Sequence, residues 1–219
     1  MKAVVFDLDG TLLDTLQDLY ESTNYALMEM GMQLRRLDEV RHFVGNGVRR
    51  LIERAVPEQT DEARLETCFA HFQRHYLRHC QDHTRLYPGI DHLLRTLHER
   101  GFLLAIVSNK LQAGVDELYE AYFRGVVDVA IGEREGVRRK PAPDMVHLAL
   151  QELRIYACEA IYVGDSEVDL ATARAASLPC TSVLWGFRTR EELLRAGATW
   201  LVETPGELLD ELLVFGQNA

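Results

Sequence analysis

Apolar positions along the chain follow two rhythms. Short apolar or β-branched runs, Ala3-Val4-Val5-Phe6, Leu103-Leu104-Ala105-Ile106-Val107, Val126-Val127-Asp128-Val129-Ala130-Ile131, Ala160-Ile161-Tyr162-Val163 and Thr181-Ser182-Val183-Leu184, predict strands buried on both faces. Stretches with helical spacing separate them, as in PGIDHLLRTLHERG at 88–101. That alternation predicts βα units and a parallel sheet covered by helices on both sides. Residues 16–83 break the rhythm, because DLYESTNYALMEMG and ARLETCFAHFQRHYLRHC carry only the helical period. The pattern predicts an α/β core made of residues 1–15 and 84–219, with a helical domain, 16–83, inserted directly after the first strand. No repeat or low-complexity segment interrupts it.

Composition narrows what such a chain can do. With 219 residues, 47% hydrophobic and 26% charged, it is an ordinary globular sequence. Its apolar runs, such as FLLAIV at 102–107, fall far short of the roughly 20 residues of a membrane span, and strand-like sequence begins at Lys2 without a signal-peptide apolar region. The expectation is a cytoplasmic protein with no membrane partner. Cys68, Cys80, Cys158 and Cys180 are scattered without a CxxC pair, which suits reduced thiols acting as small buried apolar residues. A formal charge of -10 argues against nucleic-acid binding. Only three lysines occur, Lys2, Lys110 and Lys140, so an anionic substrate must be held by local charge against an unfavourable global field.

In an open parallel sheet, ligands bind beyond the carboxyl ends of the strands. The first strand ends in Asp7-Leu8-Asp9-Gly10-Thr11, and the run at 103–107 in Ser108-Asn109-Lys110. The run at 126–131 leads to Arg138-Arg139-Lys140-Pro141, and that at 160–163 to Gly164-Asp165-Ser166-Glu167-Val168-Asp169. Each piece also has a local reading. Asp9-Gly10 is a hairpin signal, Ser108-Asn109 a cap for a helix from Gln112, Asp165-Ser166 a cap for the helix after it, and Lys140-Pro141 a solvated loop before a proline-opened helix. Four such endings on successive strands describe a site. Two carboxylates as close as Asp7 and Asp9 raise each other's pKa unless positive charge lies between them.

The set DxDGT, SN, KP and GDSEVD resembles the haloacid dehalogenase superfamily of aspartate-nucleophile phosphatases, and the whole chain is similar to its phosphoglycolate phosphatase branch, notably through FVGNGVRRLIERA at 43–55. The resemblance implies a Rossmann-like three-layer core with a parallel sheet, plus a helical cap domain inserted after the first strand. It implies a magnesium-dependent phosphoric monoester hydrolase acting on a small phosphorylated metabolite, 2-phosphoglycolate, through an aspartyl-phosphate. Asp7 is then the nucleophile, and Asp9 the general acid for the leaving group and afterwards the base for water. Ser108, with the backbone amides of Leu8, Asp9 and Asn109, is placed on the phosphoryl oxygens, with Gly10 and Thr11 in the same turn and Lys140 as the fixed positive charge. Mg2+ falls to Asp7, the backbone carbonyl of Asp9 and Asp165, with Asp169 in support.

Alternatives separate on particular residues. Asp9 and GDSEVD favour phosphate chemistry over dehalogenation, and the absence of lysine from 16–83 disfavours a Schiff-base phosphonatase. A β-phosphoglucomutase-like transferase or a pyrophosphatase would direct Arg49 and Arg50 at a second phosphate; a non-catalytic module would have lost a catalytic position. In the branch reading, Asn46, Arg49 and Arg50 hold the substrate carboxylate; by composition alone, Gly45-Asn46-Gly47 is a flexible connection and the arginines a solvated face. His71, His75, His79 and His83 recur every four residues and are expected to form a surface stripe without metal. Either a monomer or a homodimer is compatible with the sequence.

Overall fold

The computed structural model describes residues 2–217 and divides into two compact units, Met1–Leu12 with Leu86–Ala219, and Leu13–Arg85. In order, the elements are β1 (Ala3–Phe6), β2 (Leu13–Asp14), α1 (Leu16–Glu29), α2 (Leu37–Phe43), α3 (Val48–Ala55), α4 (Glu62–His79), β3 (Arg85–Leu86), α5 (Ile90–Glu99), β4 (Leu103–Leu111) and α6 (Gln112–Leu118). They continue as β5 (Val129–Glu133), α7 (Asp144–Leu153), β6 (Ala160–Gly164), α8 (Glu167–Ala175), β7 (Cys180–Val183), α9 (Arg190–Arg195), β8 (Leu201–Val202) and α10 (Pro205–Gln217). No described helix is long and apolar enough to cross a membrane.

The first unit is an α/β domain of the Rossmann-like kind. Its six-stranded sheet runs β5-β4-β1-β6-β7-β8, and every pairing in it is parallel. All four residues of β1 are fully buried, as a central strand covered on both faces requires. Phe6 lies level with Ile106 of β4 and Val163 of β6, so the three chains leave the sheet side by side. Asp7 continues the ladder by one bond, its N–H donating to Val163 O at 2.9 Å. The core on one face gathers Val5, Val107, Ile131, Met145, Val146, Tyr162 and Ala173.

Two strands depart from the sequence pattern. The run at 126–131 enters the sheet only at Val129, because Val126 and Val127 donate to Phe123 O and close the preceding π-helical turn (Tyr119–Phe123). β4 continues past the expected end at Val107 to Leu111, with its register against β5 slipping between those residues. Ser108 and Asn109 therefore belong to an irregular strand end and cap no helix, since α6 starts after Leu111 without a side-chain cap. Ser166 does cap α8, accepting from Asp169 N.

The second unit is helical, with α1 packed on α4 and the turn Gly45-Asn46-Gly47 between α2 and α3. The histidine stripe is not a bare surface. His75 stacks on Tyr25 at 4.2 Å, meets Ser22 Oγ at 3.0 Å and stacks on His79 at 4.3 Å. Acidic partners that linear spacing did not suggest stand beside it, Asp82 at 2.8 Å from His79 and Glu21 at 3.5 Å from His83. The cysteines are free, but Cys158 is exposed, unlike buried Cys68 and Cys80.

Candidate active site

The strand ends that the sequence singles out converge in the α/β unit. Lys140 lies at the centre, almost wholly buried, its Nζ 2.6 Å from Asp7 Oδ1, 2.8 Å from Asp169 Oδ1 and 3.1 Å from the Tyr162 hydroxyl. Two residues on distant stretches hold it. Asn109 Oδ1 accepts from Lys140 N at 2.8 Å and its Nδ2 donates to Lys140 O at 3.1 Å, a reciprocal pair that fixes the loop. Tyr162 also donates to Asp169 Oδ1 at 2.9 Å.

Asp169 is fully engaged. Besides Lys140 and Tyr162 on Oδ1, its Oδ2 accepts from Ser166 N at 3.1 Å and Ser166 Oγ at 2.5 Å. Asp165 takes the Phe187 N–H on Oδ2 at 2.6 Å and the Thr11 hydroxyl on Oδ1 at 3.4 Å. Asp7 differs: among the described residues its Oδ2 accepts no hydrogen bond. Gly10, at φ +91°, makes the tight turn after β1 possible. A Cβ there would come 2.5 Å from Asp165 Oδ2 and 2.9 Å from the Phe187 ring, so the glycine is needed for conformation and for space.

The carboxylates of Asp7, Asp165 and Asp169 offer oxygens that all lie within 4.8 Å of one another. Burial first, then Asp169, pushes Asp7 well above the usual carboxylate range, although Lys140 opposes this. Burial and Asp169 raise Asp165 to about 7, against the Phe187 N–H. Burial works against the charge of Lys140, but Asp169 and Asp7 more than offset it and hold the ammonium protonated. One lysine thus leaves an excess of negative charge among three buried carboxylates. A hard divalent cation fits such an all-oxygen donor set. Asp169, with both oxygens occupied, fits the supporting position expected of it.

Ser108 is buried, and its Oγ accepts the Lys110 N–H at 3.1 Å. Leu8 O accepts from Thr11 N and Leu12 N, closing the turn that carries Asp9 and Gly10. Asp9 is met by a residue to which sequence reading gave no role, Lys110, whose Nζ lies 3.1 Å from Oδ1 and 3.4 Å from Oδ2. Tyr162 was missed as well. A signal for each existed: a tyrosine within an aliphatic strand usually finds a partner for its hydroxyl, and lysine is rare in this chain.

In the helical unit, Arg49 meets Glu53 at 3.3 Å, Glu62 at 2.7 Å and Glu66 at 2.5 Å, and Arg50 meets Glu53 at 2.6 Å. Both expected carboxylate readers already face carboxylates of their own unit. Asn46 is half-buried in its turn.

The family model of haloacid dehalogenase-like hydrolases matches residues 4–183. The chain belongs to that family. Among curated relatives of this hydrolase, the phosphoglycolate phosphatase of Colwellia psychrerythraea is 30% identical, with 96% of each chain covered, and that of Aquifex aeolicus 32%, over 85% and 86%. A solved Lactobacillus delbrueckii protein assigned as a phosphoglycolate phosphatase is 35% identical, covers 96% of this chain and 97% of its own, and superposes with a TM-score of 0.92. CbbY from Rhodobacter sphaeroides, solved in complex with phosphate, is 26% identical over 95% and 96% of the chains, with a TM-score of 0.72. Within the family the chain is a phosphoric monoester hydrolase, similar over nearly its whole length to phosphoglycolate phosphatases.

Proposed function

We propose that this hydrolase dephosphorylates 2-phosphoglycolate through an aspartyl-phosphate on Asp7, with Mg2+ as cofactor. The observation that carries the mechanism is the asymmetry of Asp7, one oxygen fixed by Lys140 at 2.6 Å and the other without a hydrogen bond among the described residues. Curated relatives named phosphoglycolate phosphatase, matched along nearly the whole chain, support the substrate.

Asp7 Oδ2 attacks phosphorus, an O–P bond forms, and the ester O–P bond breaks. Protonated Asp9 gives its proton to the departing alkoxide oxygen, which leaves as glycolate. In the second half-reaction Asp9 takes a proton from water, whose oxygen attacks phosphorus; the acyl-phosphate O–P bond breaks and Asp7 returns as carboxylate. Lys140 favours the ionised form of Asp7 against the effect of burial and orients its carboxylate, and Asn109, Tyr162 and Asp169 keep Lys140 in place. Ser108 and the amides of Leu8, Asp9 and Asn109 bind phosphoryl oxygens in this reading, where preorganised donors act most strongly. Asp7, the Asp9 carbonyl and Asp165 would hold the dication, which would supply neutralisation of the phosphoryl charge.

The test is phosphate release from 2-phosphoglycolate, ethyl phosphate, pyrophosphate and β-glucose 1-phosphate, each with magnesium and with EDTA. The expected result is the highest kcat/KM on 2-phosphoglycolate and activity only with the cation. Faster release from pyrophosphate, or conversion of β-glucose 1-phosphate to glucose 6-phosphate, would overturn the substrate assignment.

A further inference from the structure

We infer that Lys110 reads the carboxylate of the substrate, an inference that rests on the proposed phosphoglycolate activity. The three lysines divide by position. Lys2 is an exposed partner of Glu159, and Lys140 serves the phosphoryl end through Asp7. Lys110, its side chain only 6% exposed, bonds both oxygens of Asp9. Asp9 is the group that meets the oxygen of the leaving alcohol, so the Lys110 ammonium stands on the leaving-group side. In phosphoglycolate one methylene separates that ester oxygen from the carboxylate. A cation touching the acid at the ester oxygen is therefore within reach of the carboxylate as well.

The local structure is built to hold this lysine. The register slip at the end of β4 turns residues 108–110 out of the regular ladder. Gln112 clamps the following turn to β5, its Oε1 accepting Gly132 N at 2.7 Å and its Nε2 donating to Ala130 O at 3.2 Å. The Lys110 stem lies over Gly114, where a Cβ would come 3.3 Å from Lys110 Cδ, closer than most side chains allow. In a chain of net charge -10, a fixed cation beside the leaving group is what selects an anionic alcohol over a neutral one. Arg49 and Arg50, by contrast, are spent on glutamates of the helical unit.

The experiment compares the ratio of kcat/KM for 2-phosphoglycolate to that for ethyl phosphate in the wild type, Lys110→Met and Lys110→Arg. Both substrates are measured on the same sample, so any misfolded fraction cancels. The ratio is expected to fall about 10- to 100-fold in Lys110→Met, mainly through KM for 2-phosphoglycolate, the size of one charge-assisted hydrogen bond, and to recover in part in Lys110→Arg. A wild type without preference for 2-phosphoglycolate would overturn the substrate reading and this inference with it. A wild type that prefers it, with the preference intact in Lys110→Met, would overturn this inference alone.

Discussion

Asp165→Asn should make the metal-free protein more stable, and increasingly so as pH rises. Burial and Asp169 raise the Asp165 carboxyl to about 7 from an ordinary 3.8. Its folded-state value is the higher one, so between about pH 4 and 7 the native state binds more protons than the unfolded chain, and stability falls as pH rises through that window. Above it the cost is complete, about 3 pKa units or about 4 kcal/mol, against about 2 kcal/mol at pH 5. Asparagine keeps an oxygen for the Phe187 N–H and carries no charge, so the penalty disappears. The advantage of the variant should therefore grow by about 2–3 kcal/mol between pH 5 and 8, an increase of roughly 5–10 °C in its Tm difference from the wild type. The assay is thermal unfolding in EDTA at several pH values, repeated with excess magnesium. There the wild type should gain stability by mass action, about 2.7 kcal/mol at a hundredfold excess over Kd, and the variant much less. An EDTA Tm difference that stays constant from pH 5 to 8 would refute the reasoning.

Three further outcomes follow from the geometry. Asp7→Asn should abolish phosphate release while the protein keeps its far-UV circular dichroism; normal turnover by that variant would remove Asp7 as nucleophile. Lys140→Met leaves Asp7 and Asp169 without their cation and should lower stability at pH 8 by about 3–5 kcal/mol in denaturant titrations, less at pH 5, where Asp7, its carboxyl already raised by burial, can protonate; equal losses at the two pH values would argue against a charge origin. Arg49→Ala removes an exposed contact to three glutamates and should cost less than about 1 kcal/mol, with kcat/KM on 2-phosphoglycolate within about threefold of wild type; a tenfold loss would restore the arginine as a carboxylate reader.

The sequence by itself determined the elements and the ends where chemistry collects. Residues 3–6, 103–107 and 160–163 are continuous apolar runs, and such a run is legible locally because a strand buried on both faces has no polar side. The polar residues that follow each run were legible for the same reason, as abrupt ends to buried segments. The helical unit was legible from its period. Less local features were not. Leu201–Val202 is too short to carry a periodic signal, and Val126 and Val127 have strand composition but are used to close a turn. Which charges meet was decided by tertiary structure alone. Lys110 and Asp9 are 101 residues apart, and Lys140 and Asp7 133; Lys110 reaches Asp9 because β4 lies beside β1, and Lys140, on the loop after β5, reaches Asp7 with its backbone held by Asn109 at the end of β4. The same holds for Asn109 on the Lys140 backbone and for the glutamates around Arg49. Periodicity records which face of an element is buried, whereas strand order and register set the partner across a site, and those follow from packing the whole chain.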